Sequence, residues 1–246
     1  MSTTTAREDA HGHDHPAFLA HHFDSHEQQF DSGKLGMWAF LVTEIMTFAG
    51  LFCAYAVYRA MHPEIFVYAD HFLDRKLGAL NTCVLLISSF TAAWAVRAAQ
   101  LGQKKLLTGL LAFTVACGGT FMVVKYFEYS HKFHDKLLWA KLYEPRAQVA
   151  AERAAEGGHG GGHEIHLPDQ PEPRNVGTFF SIYFVMTGLH GLHVLIGMGV
   201  LSWLAFRAAR GDFNAEYFGP VEFAALFWHL VDLIWIYLFP LLYLIH

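Results

Sequence analysis

Three stretches of the chain, residues 77–96, 106–124 and 175–206, contain no Asp, Glu, Lys or Arg. Each meets or nearly meets the roughly 20 apolar residues that a helix needs to cross a bilayer. Two further stretches, 35–58 and 223–246, are interrupted by one acid each, Glu44 and Asp232. The pattern predicts an all-α integral membrane protein, a bundle of five transmembrane helices at about 35–59, 78–100, 106–129, 176–207 and 220–245. Residues 1–30 read as a polar, His-rich tail ahead of a membrane domain over 31–246. Between the third and fourth spans, residues 130–175 form a polar excursion with a flexible Gly- and Pro-rich loop at about 145–172 and a short helix near 146–156.

Composition agrees with that reading: 54% of residues are hydrophobic, 15% aromatic and only 16% charged. A formal charge of −5 with 17 Lys and Arg gives a nucleic-acid partner no electrostatic support. The polar start predicts no cleavable signal peptide, so the first span directs insertion. Cys53, Cys83 and Cys117 lie in apolar runs without paired spacing and read as small buried hydrophobes. Short loops near Arg97, Lys104 and Lys105, and near Arg207 and Arg210, share a side with the N-terminus. Charge counting therefore puts the N-terminus in the cytoplasm and the C-terminus outside. Trp38, Trp139, Tyr143 and Trp203 fit interfacial anchors. Gly118, Gly119, Gly188, Gly191, Gly197 and Gly199 predict close helix approach.

Candidate chemistry lies inside the spans. A carboxyl such as Glu44 deep in hydrocarbon needs a partner, a proton or a purpose. "TGLHGLHVLIG" places His190 and His193 at i,i+3 on one face, "FWHLVDLIW" does so for His229 and Asp232, and "KYFEYSH" for Glu128 and His131. A di-iron carboxylate bundle wants two Glu-x-x-His motifs and two more Glu, and one such motif is present. A bis-His haem site made by His190 and His229 stays open on residue chemistry, as does a proton or ion pathway. The favoured reading is interhelical polar glue. The His-rich tail and His159, His163 and His166 in the Gly-rich loop read as solvated segments, not a fixed metal site.

Several stretches carry a family resemblance: "TEIMTFAGLFCAY", "LNTCVLLISSFTAAWA", "KYFEY", "GTFFSIYFVMTGLHGLHVLIG" and "FWHLVDLIWIYLF". The chain resembles subunit III of the haem–copper terminal oxidases, in the cytochrome c oxidase branch, over about residues 20–246. The resemblance is to short five-span bacterial forms, lacking the first two spans of longer members. It implies a non-catalytic subunit of a proton-translocating cytochrome c oxidase in aerobic respiration. Such a subunit packs directly on catalytic subunit I, with subunit II in the same complex, in a bacterial inner membrane. Haem and copper would reside in those partners, leaving no cofactor, no metal and no catalytic residue here. The implied roles are stabilising the catalytic subunit, supporting proton uptake and binding membrane phospholipid. Glu44 matches the family's membrane-embedded carboxyl, which can keep its proton and donate a hydrogen bond. Glu128, His190, His193, His229 and Asp232 would form an interhelical polar network, and Arg207 matches a position associated with a lipid headgroup. A quinol oxidase subunit III is the alternative. A free-standing proton-coupled transporter is a more distant one, disfavoured because no internal repeat is found.

Overall fold

The computed structural model describes residues 23, 25–134, 145, 149, 173–215 and 217–244. Apart from residues 145 and 149, the predicted 145–172 loop with its short helix lies outside the described residues, as do Trp139, Tyr143 and most of the N-terminal tail. Among the described residues six helices are delimited, in order α1 His26–Met61, α2 Pro63–Asp70, α3 Arg75–Gln100, α4 Lys104–His134, α5 Val176–Arg210 and α6 Gly219–Tyr243. All except α2 are long and apolar enough to cross a membrane. Among the described residues, five helices are therefore able to span a membrane, the number expected of a five-span multi-pass protein.

The helices outrun the charge-free stretches because their ends are capped by polar residues. The Ser25 side chain accepts a hydrogen bond from the Gln28 backbone N–H at 3.2 Å, starting α1 about nine residues before its apolar run. Asp74 accepts from Lys76 and Leu77 N–H groups at 2.8 and 3.2 Å and starts α3. Residues 130–134, expected in the excursion, continue α4 instead. The short α2 is absent from the hydropathy pattern; Pro63 in its first turn supplies a preset φ at the helix start. Gly211 closes α5 in the left-handed region, at φ 86°.

Four helices pack in a ring, α3 on α4, α4 on α5, α5 on α6 and α6 back on α3. Trp228 of α6 reaches all three of the others. A Cβ on Gly118 of α4 would lie 2.8 Å from its ring and one on Gly197 of α5 would lie 2.9 Å away, so both positions must lack a side chain. Its Nε1–H donates to Ser88 Oγ of α3 at 3.0 Å. Gly188, Gly191 and Gly199, also expected at close contacts, instead face open space. Cys53 and Cys83 are exposed and Cys117 is half-buried, correcting the expectation of buried cysteines.

Helix α1 stands outside the ring. It runs parallel to α6, joined by Phe30–Phe223, Phe40–Phe227 and Phe52–Tyr237 ring contacts at 5.8, 5.9 and 6.5 Å. A Lys34–Glu222 ion pair at 3.2 Å ties its first part, and the Tyr55 hydroxyl donates to the Leu241 carbonyl near its end. Helix α2 folds back over α5, placing Phe66 edge-on to Phe179 at 5.2 Å.

Gly197→Ala should destabilise the protein by about 1–3 kcal/mol, the cost of overpacking beside a rigid indole. Gly188→Ala, facing open space, should be near neutral. Thermal unfolding of the purified protein in detergent measures both; equal melting temperatures would remove the indole slot from this account.

Candidate functional site

Glu44 lies near the middle of α1 and meets His193 of α5, with Oε2 and Nε2 2.8 Å apart. The other ring nitrogen, Nδ1, is 2.8 Å from the Leu189 carbonyl oxygen. A carbonyl can only accept, so Nδ1 carries a hydrogen. One further proton therefore lies between Nε2 and the carboxyl. Held on oxygen it makes two neutral groups, and held on nitrogen it makes an ion pair. The net charge is zero either way, so no isolated charge is left in hydrocarbon.

Glu128 is the centre of a second cluster, where α4, α5 and α6 converge. It receives Lys125 Nζ at 2.9 Å and Lys132 Nζ at 3.0 Å from its own helix. Tyr183 of α5 donates to it at 2.8 Å, and the Tyr243 hydroxyl of α6 donates as well. Glu128 is thus paired with two lysines of its own helix, because i−3 and i+4 both point into the bundle, whereas His131 at i+3 is exposed. Lys125 also lies over four aromatic rings, Trp235, Tyr243, Tyr183 and Tyr129, at 4.7, 5.2, 5.6 and 5.9 Å from their centroids. Cation–π attraction gains strength in such a dry setting.

The α3–α6 seam holds the third set. Asp232 accepts from the Ser88 hydroxyl at 3.4 Å, and His229 Nδ1 lies 2.7 Å from Ser89 Oγ. His229 and Asp232 therefore share a seam while each bonds its own serine, not one another. Thr91 and Thr114 hydroxyls meet at 2.8 Å between α3 and α4.

His190 and His193 point apart despite their i,i+3 spacing. His193 turns to α1, whereas His190 is fully buried, edge-on to Phe121 at 5.6 Å and beside Trp235 at 5.4 Å. Neither ring nitrogen of His190 has a hydrogen-bond partner among the described residues. The same geometry separates the two residues of the conceivable haem pair, since His190 meets α4 and α6 rings while His229 meets α3. Among the described residues no three His, Cys, Asp or Glu side chains are grouped to hold a metal ion. At the far end of α5, Arg207 donates from Nε to Asp212 at 2.9 Å. Its guanidinium lies 5.1 and 5.2 Å from the Trp203 and Phe213 ring centroids.

A profile of the family described as cytochrome c oxidase subunit III matches residues 17–135 and 174–246. This chain belongs to the cytochrome c oxidase subunit III family. It is 28% identical over 236 residues to cytochrome c oxidase subunit 3 of Thermostichus vulcanus, covering 96% of this chain and 91% of that protein. The subunit 3 of Synechocystis sp. is 28% identical over 247 residues, covering 100% and 84%. That of Loxodonta africana is 28% identical over 221 residues, covering 87% and 69%.

In this subunit III family member, Glu128, His193, His229 and Asp232 of the expected polar network bond other helices in separate clusters, whereas His190 is packed among rings and has no hydrogen-bond partner among the described residues. Lys125, Lys132, Tyr183 and Tyr243 went unpredicted. The local signal was available: two lysines flank Glu128 at helical spacing inside an otherwise apolar helix. The tyrosines come from helices distant in sequence and carry no such signal.

Glu44→Gln should be mild, because the amide can donate to His193 Nε2 in place of the carboxyl. Glu44→Leu strands that nitrogen and should cost about 1–3 kcal/mol. The melting temperatures of the two variants compare them directly, and equal losses would mean the hydrogen bond contributes nothing.

Glu128→Gln should be far more damaging. It leaves two buried ammonium groups without their carboxylate, a loss of about 3–5 kcal/mol by analogy with broken buried ion pairs. The yield of folded protein from membranes is the measure, and wild-type yield would show that Glu128 is not the centre of the cluster.

Proposed function

We propose that this chain is the non-catalytic third subunit of a haem–copper terminal oxidase of the cytochrome c oxidase type. Membership of an oxidase complex follows from the family; the finer role is our reading. The observation that carries it is how the intramembrane carboxylates are used. Glu44, Glu128 and Asp232 each bond a helix of the same chain other than their own, which is what a scaffold requires of polar groups in lipid. The haems and copper belong to partner subunits, this chain packing on the catalytic one with the second subunit in the same assembly. Its task is to keep the catalytic subunit stable during turnover and to support proton uptake. The charge-neutral Glu44–His193 pair, holding one transferable proton, supports the second part. Phospholipid binds at the Arg207 end, where a guanidinium is stacked among Trp203, Phe213 and Tyr217. The excess of Lys and Arg on the short loops supports an N-terminus in the cytoplasm and a C-terminus outside a bacterial inner membrane.

The test is to purify the oxidase with and without this chain and follow oxygen consumption with time. The expected outcome is a retained initial rate, fewer turnovers before inactivation without the chain, and no haem absorption or stoichiometric iron or copper in the chain alone. Immediate loss of all activity, or stoichiometric metal in the chain after removal of residues 1–26 and 157–166, overturns this assignment.

A further inference from the structure

Helix α6 is flanked by α1 on one side and α3 on the other, and those two helices do not pack on each other. Between them a strip of α6 is left uncovered. Leu233 and Ile236 on this strip are exposed, and Leu86 and Phe90 of α3 form its exposed wall. His229 lies on the same strip, since residues 229, 233 and 236 recur at helical spacing.

His229 has one satisfied and one unsatisfied side. Its Nδ1 meets Ser89 Oγ at 2.7 Å. Its Nε2 has no partner among the described residues and is not among the unpartnered atoms sealed inside, so it opens onto the strip. The position is close to mid-membrane, near the middle both of α6 and, through Ser89, of α3. No water is at hand there, and a ring nitrogen facing lipid tails would go unbonded.

We propose that this strip is the seat of one transmembrane helix from another subunit of the complex, which brings a hydrogen-bonding side chain to His229 Nε2. Two features select a helix over lipid. The unmet bond requires a polar group at a depth where lipid offers none, and the separation of α1 and α3 across α6 leaves an elongated seat running along the helix. The partner surface is apolar with a single Ser, Thr, Asn, Gln or similar residue at the level of His229. The inference rests on the reading of the chain as an oxidase subunit.

The experiment uses the purified oxidase complex with its subunits resolved, carrying a photo-crosslinking amino acid at Leu233 or, as control, at Phe113 of α4. The Leu233 probe should join this chain to another subunit. His229→Leu should lower that yield roughly threefold to tenfold, within the range of one interhelical hydrogen bond, and His229→Gln, whose amide reaches the Nε2 position, should restore it. A Leu233 probe that captures only lipid, or only a second copy of this chain, overturns the proposal even if His229→Leu fails to assemble. So does an assembled His229→Leu complex with undiminished crosslinking. If a haem-bearing chain co-purifies while the probe captures lipid alone, the seat is wrong and the oxidase assignment stands. If no haem-bearing chain co-purifies, both fall.

Discussion

The bundle is organised around one indole. Trp228 enters a slot that exists only because Gly118 and Gly197 offer no Cβ, and its N–H is held by Ser88. One side chain thereby registers four helices against each other. In lipid, where tails are as apolar as the helices, close packing and hydrogen bonds hold spans together, because no hydrophobic gain separates helix–helix from helix–lipid contact. A large flat ring pressed between two bare backbones supplies the packing, and the Ser88 bond fixes its depth.

The polar clusters lie at distinct places around this slot. Glu128, Tyr183 and Tyr243 clamp α4, α5 and α6 at one end of the bundle. Asp232 and His229 bond adjacent serines on α3. Glu44 reaches from α1 to His193 of α5, which gives an otherwise peripheral helix an anchor at mid-membrane. The division of labour is physical: rings set distances, while polar pairs set rotation and depth.

The five spans were legible because a charge-free run of that length has one common explanation in a helical chain. Their ends were not, since Ser25 and Asp74 caps carry helices into polar sequence that hydropathy assigns to loops. Helix α2 was missed because eight residues at the end of a span show no period long enough to read. Of the candidate site, Glu44, Glu128 and Asp232 stood out as acids in apolar surroundings, and their partners did not, because each choice of partner depends on helix rotation. The glycines illustrate the same limit: Gly197 and Gly199 look alike in sequence, yet one touches Trp228 and the other faces open space.

The zero net charge of the Glu44–His193 pair also decides how the pair responds to an energised membrane. A full charge crossing the bilayer works against about 2.3 kcal/mol per 100 mV. A proton passing from oxygen to nitrogen moves less than the 2.8 Å that separates them. Against a hydrocarbon core of about 30 Å, that is at most about a tenth of the field. Voltage therefore tilts the position of this proton by no more than about 0.2 kcal/mol per 100 mV, below thermal energy. A respiratory membrane can charge and discharge while the link between α1 and α5 keeps the same strength.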